Sequence, residues 1–195
     1  MTCVAGARTK TEAWIAYDCA SSSKHEMSLT SSPKAFKHAG GGIMGSAGSW
    51  IVLDILKELK GSDCEPRDIA AALDTLRENN PKALKDGVDI IMVAPGKPII
   101  YIDGDGASVE IRPSFYAIGT GAPYALGYLE GCATVGPEEL KRAVKIAAKY
   151  HPGVAEPVTL LSVKKASSTT RVKKEDLTPT SKSAMVDPSP RMGRD

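Results

Sequence analysis

The order of its segments is the feature that most constrains how this chain folds. Strand-like runs come in groups, and the first two groups are each followed by a pair of helical segments. The predicted strands cover 3–8, 12–18, 34–39, 42–46, 88–95, 98–102, 107–111, 115–118 and 158–163, and the predicted helices cover 47–60, 66–79, 121–132 and 137–150. Short connections favour antiparallel strand pairing, and helix pairs need a sheet surface to cover. The order predicts an α+β fold, a four-layer αββα sandwich of two antiparallel sheets between helix pairs.

Bulk properties exclude several classes of protein. The chain has 195 residues and a net charge of +2, too small to indicate nucleic-acid binding. Its apolar runs are shorter than the ~20 residues of a membrane helix, and its first residues lack a secretion-signal layout, which favours the cytoplasm. Four cysteines without Cys-x-x-Cys spacing and three histidines give no zinc pattern, so no metal or cofactor is expected. Asp103-Gly104-Asp105-Gly106 is interpreted as a turn, because a calcium loop needs more oxygen ligands.

The composition changes near residue 164. From there to residue 195 the chain carries eight Lys or Arg and four Asp or Glu, among many Ser, Thr and Pro and with little apolar periodicity. Such a segment cannot bury enough apolar surface to pack. The sequence therefore predicts one folded domain over 2–163 and a flexible, weakly basic tail over 164–195.

Thr2 is the residue with the most specific chemistry. Removal of Met1 would leave a free α-amino group and a hydroxyl on the same residue. The amine, with an unperturbed pKa near ~8, can take the proton from Oγ, and Oγ can then attack a carbonyl carbon. Position 2 alone is weak support for this role, so the interpretation depends on residues downstream.

Four features follow Thr2 at fixed distances. Asp18 comes 16 residues later, Lys34 comes 32 residues later, and Gly48 precedes an amphipathic segment. A segment around Thr120 reads Ile-Gly-Thr-Gly-Ala-Pro-Tyr-Ala. In this combination the chain resembles the proteasome β-subunit family, most closely its bacterial HslV-type branch, over roughly residues 2 to 163.

The resemblance implies an N-terminal nucleophile (Ntn) hydrolase fold and a role for each residue. Thr2 would be the nucleophile, Lys34 the cation that lowers the pKa of the hydroxyl and amine, and Asp18 the carboxylate that holds Lys34. The Gly48 N–H would stabilise the oxyanion. Thr120 stands where the family commonly has a serine whose hydroxyl orients the amine.

The resemblance to this family gives two further expectations. The substrate pocket beside the nucleophile would use Ser21, Ser32, Ser46 and Trp50, a mixed set from which no cleavage preference is predicted. The segment 149–152 departs from the family, since Lys149 stands at the place of an amine-supporting Asp and Pro152 at that of a Ser. Tyr150 or His151 could substitute, or His151 could be an ordinary loop residue.

Three functions are compatible with these residues. The first is a threonine endopeptidase that cleaves peptides or unfolded proteins inside a homo-oligomeric ring, with an ATPase unfoldase partner implied by the resemblance alone. The second is an Ntn amidohydrolase acting on a small amide. The third is a catalytically silent structural subunit, which retention of Met1 or an inert Thr2 would indicate.

Overall fold

The computed structural model describes residues 2–22, 27–59, 64–85 and 87–166. The strands are β1 Val4–Arg8, β2 Glu12–Tyr17, β3 Ala20–Ser22, β4 Met27–Leu29, β5 Ala35–His38, β6 Gly42–Gly48, β7 Val88–Val93, β8 Ile99–Asp103, β9 Ser108–Ile111, β10 Phe115–Ile118 and β11 Thr159–Lys164. The helices are α1 Trp50–Glu58, α2 Pro66–Asn79, α3 Ala122–Glu130 and α4 Pro137–Tyr150, with a 3₁₀ turn at Pro81–Leu84. The predicted tail lies outside the described residues from 167 onward.

Two antiparallel sheets form the centre of the molecule. One has four strands in the order β10-β1-β2-β11, and the other has five in the order β5-β6-β7-β8-β9. Strands β3 and β4 pair with each other as a separate hairpin. The N-terminal strand β1 is central in its sheet, between β2 and β10, so Thr2 is anchored at the end of a paired strand.

Three apolar cores define the four layers. The core between the sheets joins Val4 and Ile15 of one sheet to Ile43 and Ile91 of the other. A second core lies under α3 and α4 on the four-stranded sheet, and a third lies under α1 and α2 on the five-stranded sheet. The αββα sandwich predicted from the segment order is thereby confirmed.

Local sequence signals set the helix starts. Proline occupies the first turn of both α2 and α4, where its missing N–H has no partner to lose. The Asp68 carboxylate accepts the Glu65 N–H at 3.0 Å, and the Glu139 carboxylate accepts the Gly136 N–H at 3.0 Å. Both helices begin where the sequence predicts.

The first helix starts later than predicted. The prediction placed its start at Ala47, but Ala47 and Gly48 are still paired with Asp89 and Val88 of β7, and α1 begins at Trp50. The sheet ladder therefore takes precedence over the helical periodicity at this point. The β3–β4 hairpin and the 3₁₀ turn were not predicted, because runs of three or four residues carry too little periodicity to be recognised.

Candidate active site

Strand pairing brings Thr2, Asp18 and Lys34 to one end of the sandwich. Val4 pairs with Tyr17 across β1 and β2, so Thr2 and Asp18 extend beyond the same end of the ladder. The Asp18 N–H continues the pairing by donating to the Cys3 carbonyl at 3.3 Å. Lys34 comes from the other sheet, directly before β5, and its carbonyl accepts the Ser46 N–H at 2.9 Å.

The three side chains contact one another in a buried cluster. The Thr2 hydroxyl donates to Asp18 Oδ1 at 2.7 Å, and Lys34 Nζ donates to the same oxygen at 2.7 Å. Lys34 Nζ also contacts Thr2 Oγ1. Relative exposure is 5% for Thr2, 0% for Asp18 and 4% for Lys34. Since an ammonium only donates and a carboxylate only accepts, the Thr2 hydroxyl must accept from Lys34 and donate to Asp18.

Backbone groups stabilise the Asp18 carboxylate. Oδ1 accepts the Cys3 N–H at 2.9 Å, and Oδ2 accepts the N–H groups of Ala20 at 2.9 Å and Ala155 at 3.3 Å. These charge-assisted bonds offset the cost of burying the charge. The Ala155 contact spans 137 residues, and only the fold could reveal it.

Burial also sets the electrostatics of the cluster. Loss of hydration lowers the pKa of Lys34 below its ordinary value, and the nearby Asp18 carboxylate offsets part of that effect. Burial, with a smaller contribution from Asp18, raises the pKa of Cys3 to about 12. Cys3 therefore stays a protonated thiol at neutral pH, although it is adjacent to Thr2.

The turn between β10 and α3 holds the backbone of Thr2. The Thr2 N–H donates to Thr120 Oγ1 at 3.4 Å, and the Gly121 N–H donates to the Thr2 carbonyl at 3.0 Å. Gly119 has a φ of 86°, a conformation that side chains rarely adopt. A Cβ at this position would lie 2.5 Å from the Thr2 carbonyl oxygen. Glycine is thus required for this close approach.

Gly48 ends β6 and has a φ of 113°. A Cβ there would lie 2.4 Å from the Gly87 carbonyl oxygen. Because α1 begins two residues later, Gly48 belongs to the strand end and not to the helix as predicted. Gly48 and Thr2 line the same cavity, so the residue predicted as oxyanion donor and the predicted nucleophile are open to the same space.

This cavity has a volume of about 790 Å³ and opens between the sheets. On the side of the nucleophile it is lined by Thr2, Ala47, Gly48, Gly119 and Thr120. Five charged residues also line the cavity, namely Arg77, Lys85, Asp89, Asp103 and Asp105. The sequence pattern does not reveal these charged residues as part of a site, since Asp103 and Asp105 fit a simple turn. Asp103 Oδ1 does accept the N–H groups of Asp105 and Ala107, as in such a turn.

The predicted substrate-binding residues are not among those that line this cavity. Trp50 Nε1–H donates to Ser21 Oγ at 3.2 Å, which brings those two residues together. Ser46 is buried, and its hydroxyl has no hydrogen-bond partner among the described residues. Ser32 is exposed. Their role in substrate binding remains a prediction.

The departing segment 149–152 has contacts of its own. The Lys149 ammonium lies 5.3 Å from the centroid of the Tyr150 ring, and Tyr150 stacks on Tyr124. His151 ends α4, and its Nδ1 accepts the Gly153 N–H at 3.0 Å. In the described part of the chain, the hydrogen bonds of Thr2 go to Asp18, Lys34, Thr120 and Gly121, and not to this segment.

The described residues contain neither a candidate metal site nor a helix that could cross a membrane. Among the described residues, no group of three or more His, Cys, Asp or Glu side chains is arranged to bind a metal ion. In the same residues, no helix combines the length and the apolar character needed to span a membrane.

Comparison with known proteins gives no match in sequence but clear matches in structure. No protein-family model matches the chain, and no curated protein is detectably similar in sequence. BPH from Thiobacillus denitrificans, solved in complex with epoxomicin, superimposes with a TM-score of 0.66 at 19% identity, covering 83% of this chain and 98% of BPH. Eukaryotic HslV from Trypanosoma brucei gives 0.65 at 16% identity, covering 84% of this chain and 99% of HslV. The chain has the proteasome-type Ntn-hydrolase fold.

A third structure agrees with this assignment. Anbu, an ancestral β-subunit from Yersinia bercovieri, gives a TM-score of 0.67 at 11% identity, covering 84% of this chain and 82% of Anbu. The resemblance predicted from Thr2, Asp18, Lys34 and the segment around Thr120 is confirmed at the level of the proteasome-type fold. At such identities the superpositions establish the fold alone.

Proposed function

We infer that the chain is a threonine peptidase whose nucleophile is Thr2 after removal of Met1. The observation that carries this proposal is the buried contact of the Thr2 hydroxyl with Lys34 and Asp18. A hydroxyl is a weak nucleophile at neutral pH and needs a base and an electrostatic partner. In this proposal the free Thr2 amine is the base, and the Lys34 ammonium is the partner.

The reaction would proceed in two steps. The Thr2 amine takes the hydroxyl proton while Oγ bonds to the substrate carbonyl carbon, and the Lys34 ammonium stabilises the developing charge on Oγ. The carbonyl electrons move to its oxygen, which the Gly48 N–H would stabilise. The amine then gives its proton to the leaving nitrogen as the C–N bond breaks. Water hydrolyses the resulting ester by the same route and restores Thr2.

Other parts of the site would hold the amine and exclude competing groups. Thr120, which contacts the Thr2 nitrogen at 3.4 Å, would orient the amine. Asp18 would hold the side chains of Lys34 and Thr2 in place through Oδ1, the oxygen atom that both contact. The raised pKa of Cys3 leaves the neighbouring thiol unreactive as a nucleophile.

Assembly and location are part of the same proposal. We propose a homo-oligomeric ring in the cytoplasm that encloses the active sites and takes peptides or unfolded proteins. An ATPase unfoldase partner would extend this to folded substrates. Size-exclusion chromatography with light scattering of the purified protein would test the ring, since a single mass equal to the monomer, 20.6 kDa, would contradict it.

A panel of substrates tests the peptidase proposal against the small-amide alternative. The protein without Met1 would be incubated with fluorogenic peptides and, separately, with small amides. The Thr2→Ala variant would serve as the negative control. Hydrolysis of peptides that Thr2→Ala abolishes supports the peptidase. Hydrolysis of the small amides alone would replace it by an amidohydrolase with the same nucleophile.

The silent structural subunit is the second candidate, and the Lys149–Pro152 segment favours it. Its lysine and proline cannot supply the carboxylate and hydroxyl that the family uses to support the amine. A protein that loses Met1 correctly and still reacts with no substrate or inhibitor would favour this candidate.

A further inference from the structure

Two carboxylates of the cavity face each other across the strands that form its wall. Asp89 of β7 is the direct cross-strand partner of Asp103 of β8, and Ala47 of β6 is the partner of Asp89 on its other side. Cross-strand side chains have Cβ atoms ~4.5–5.5 Å apart, so like charges at such positions repel. Both residues are half-buried, which strengthens the repulsion relative to bulk water.

The neighbouring groups of the protein supply hydrogen bonds to this pair but no cation. Asp89 Oδ1 accepts the Tyr101 hydroxyl at 2.7 Å, and Asp103 Oδ1 accepts two backbone N–H groups at 2.9 and 3.0 Å. Burial and the adjacent carboxylates raise the pKa of Tyr101, so it stays a hydrogen-bond donor. Among the described residues, neither carboxylate has an ion-pair partner.

The two cations of the cavity are engaged elsewhere or lie at its edge. The Arg77 guanidinium donates to the Gly104 carbonyl at 2.7 Å and to Asp105 at 3.3 Å, and it also pairs with Asp74. Lys85 is exposed. Three carboxylates therefore stand against two cations around the cavity, which leaves it with a net negative charge.

The position of the pair connects it to the reaction. The same cavity of about 790 Å³ is lined by Thr2 and Gly48, so a side chain held by Asp89 and Asp103 would belong to a substrate at the nucleophile. Its volume lies within the range of small-ligand sites, ~300–1,000 Å³. We propose that Asp89 and Asp103 form a subsite for a positively charged side chain, lysine or arginine, beside the scissile bond.

This proposal rests on the proposed peptidase function and can be tested in parallel with it. The substrates are fluorogenic peptides that differ at one residue flanking the scissile bond, with Lys, its neutral counterpart Gln, or Glu. The variants are Asp89→Asn and Asp103→Asn, which keep the acceptor oxygens for Tyr101 and for the turn. Glu138→Gln, an exposed carboxylate on α4 that pairs with Lys141, is the matched control.

The readout is the ratio of kcat/KM for the Lys peptide to that for the Gln peptide. We expect the unmodified protein to prefer Lys by about tenfold and to turn over Glu least, since close charges interact strongly at a half-buried site. Each Asp→Asn variant should remove most of that preference, mainly through KM, while Glu138→Gln keeps it. An equal ratio in all four proteins, or a preference for Glu, would overturn the proposal.

A binding measurement separates failure of this proposal from failure of the peptidase function. If no peptide is hydrolysed, titration of the full chain with N-acetyl-lysine amide and N-acetyl-glutamine amide, followed by NMR, reads the subsite without catalysis. Shifts at the cavity residues for the lysine amide that both Asp→Asn variants lose would support it. No difference between the two amides would overturn it.

Discussion

Lys34 and Asp18 form an ion pair closed off from solvent, with 2.7 Å between Nζ and Oδ1 and side-chain exposures of 5% and 0%. The pair joins the two sheets, since Asp18 follows β2 and Lys34 precedes β5. Burying two charges is costly unless both are well paired, and replacing such a pair by apolar residues is often neutral or stabilising. Its contact with the Thr2 hydroxyl gives a chemical reason for its presence.

Thr2→Ala should abolish turnover and leave the fold intact. The variant loses the nucleophile and the two buried hydrogen bonds of its hydroxyl, with Asp18 and Lys34, each worth about 1 kcal/mol, so the melting temperature should fall by about 4–8 °C. Peptide hydrolysis and thermal unfolding of the purified variant check both statements. Thr11→Ala, at an exposed turn, is the matched control and should keep full activity. Substantial residual turnover by Thr2→Ala would remove Thr2 as nucleophile.

Lys34→Ala should be nearly as damaging to turnover as Thr2→Ala. The hydroxyl and amine lose their neighbouring cation, and Asp18 becomes an unpaired buried charge, which costs about 3–5 kcal/mol of stability. Denaturant unfolding and peptide hydrolysis measure the two effects. Lys37→Ala, on the exposed side of β5, controls for loss of a lysine.

A double variant separates the chemical role of Lys34 from its structural one. Adding Asp18→Asn to Lys34→Ala removes the unpaired charge, so stability should return in part while turnover stays lost. The recovery is partial because the amide nitrogen cannot accept the backbone N–H bonds that each carboxylate oxygen accepts. Recovery of turnover together with stability would show that Lys34 acts only on the fold.

The alkaline limb of the pH–rate profile should lie below pH 10.5, the ordinary pKa of lysine. Burial lowers the pKa of Lys34, so the ammonium loses its proton as pH rises through that lowered pKa, and the rate falls with it. Cys3, with a pKa of about 12, does not titrate in this window. The measurement is kcat/KM against pH for the unmodified protein and Lys34→Ala. An unchanged profile in the variant would contradict the role of Lys34.

Gly119→Ala should strongly reduce turnover by displacing Thr2. The added methyl would lie 2.5 Å from the Thr2 carbonyl oxygen and 2.8 Å from its Cγ2, at a backbone φ of 86° that alanine rarely adopts. Gly127→Ala on α3 is the matched control, because a Cβ there meets no heavy atom within 4 Å apart from its chain neighbours and the adjacent backbone of its own helix. It should keep activity and gain up to about 1 kcal/mol of helix stability. Equal activity of the two variants would contradict the positioning role of Gly119.

The sequence predicts the layers of this fold because its long segments carry clear periodicity. Apolar residues of α1, α2 and α4 recur at the three- and four-residue spacing of a helix, and turn residues separate the paired strands. The β3–β4 hairpin was not predicted because strands of three residues are too short to show an alternation of apolar and polar side chains. The start of α1 was misplaced because pairing of Ala47 and Gly48 with β7 is a tertiary contact that helical periodicity does not reveal.

The contacts of the candidate site likewise include some that the sequence predicts and some that it does not. Thr2, Asp18 and Lys34 could be selected through the resemblance to the proteasome β-subunit family, and the fold brings them into contact. The bond from the Ala155 N–H to Asp18 could not, since it joins residues 137 positions apart. The facing carboxylates Asp89 and Asp103 could not, since they depend on the register between β7 and β8. A slip of one residue in strand register would turn such side chains to the other face of the sheet.

The most direct test of the central proposal is the intact mass of the purified protein before and after incubation with epoxomicin. This peptide epoxyketone needs a hydroxyl and a free α-amine on one residue to form its adduct. We predict loss of Met1 and a single adduct that peptide mapping places on Thr2, absent in Thr2→Ala. Retention of Met1, or its loss without an adduct at Thr2, would contradict an active N-terminal threonine peptidase.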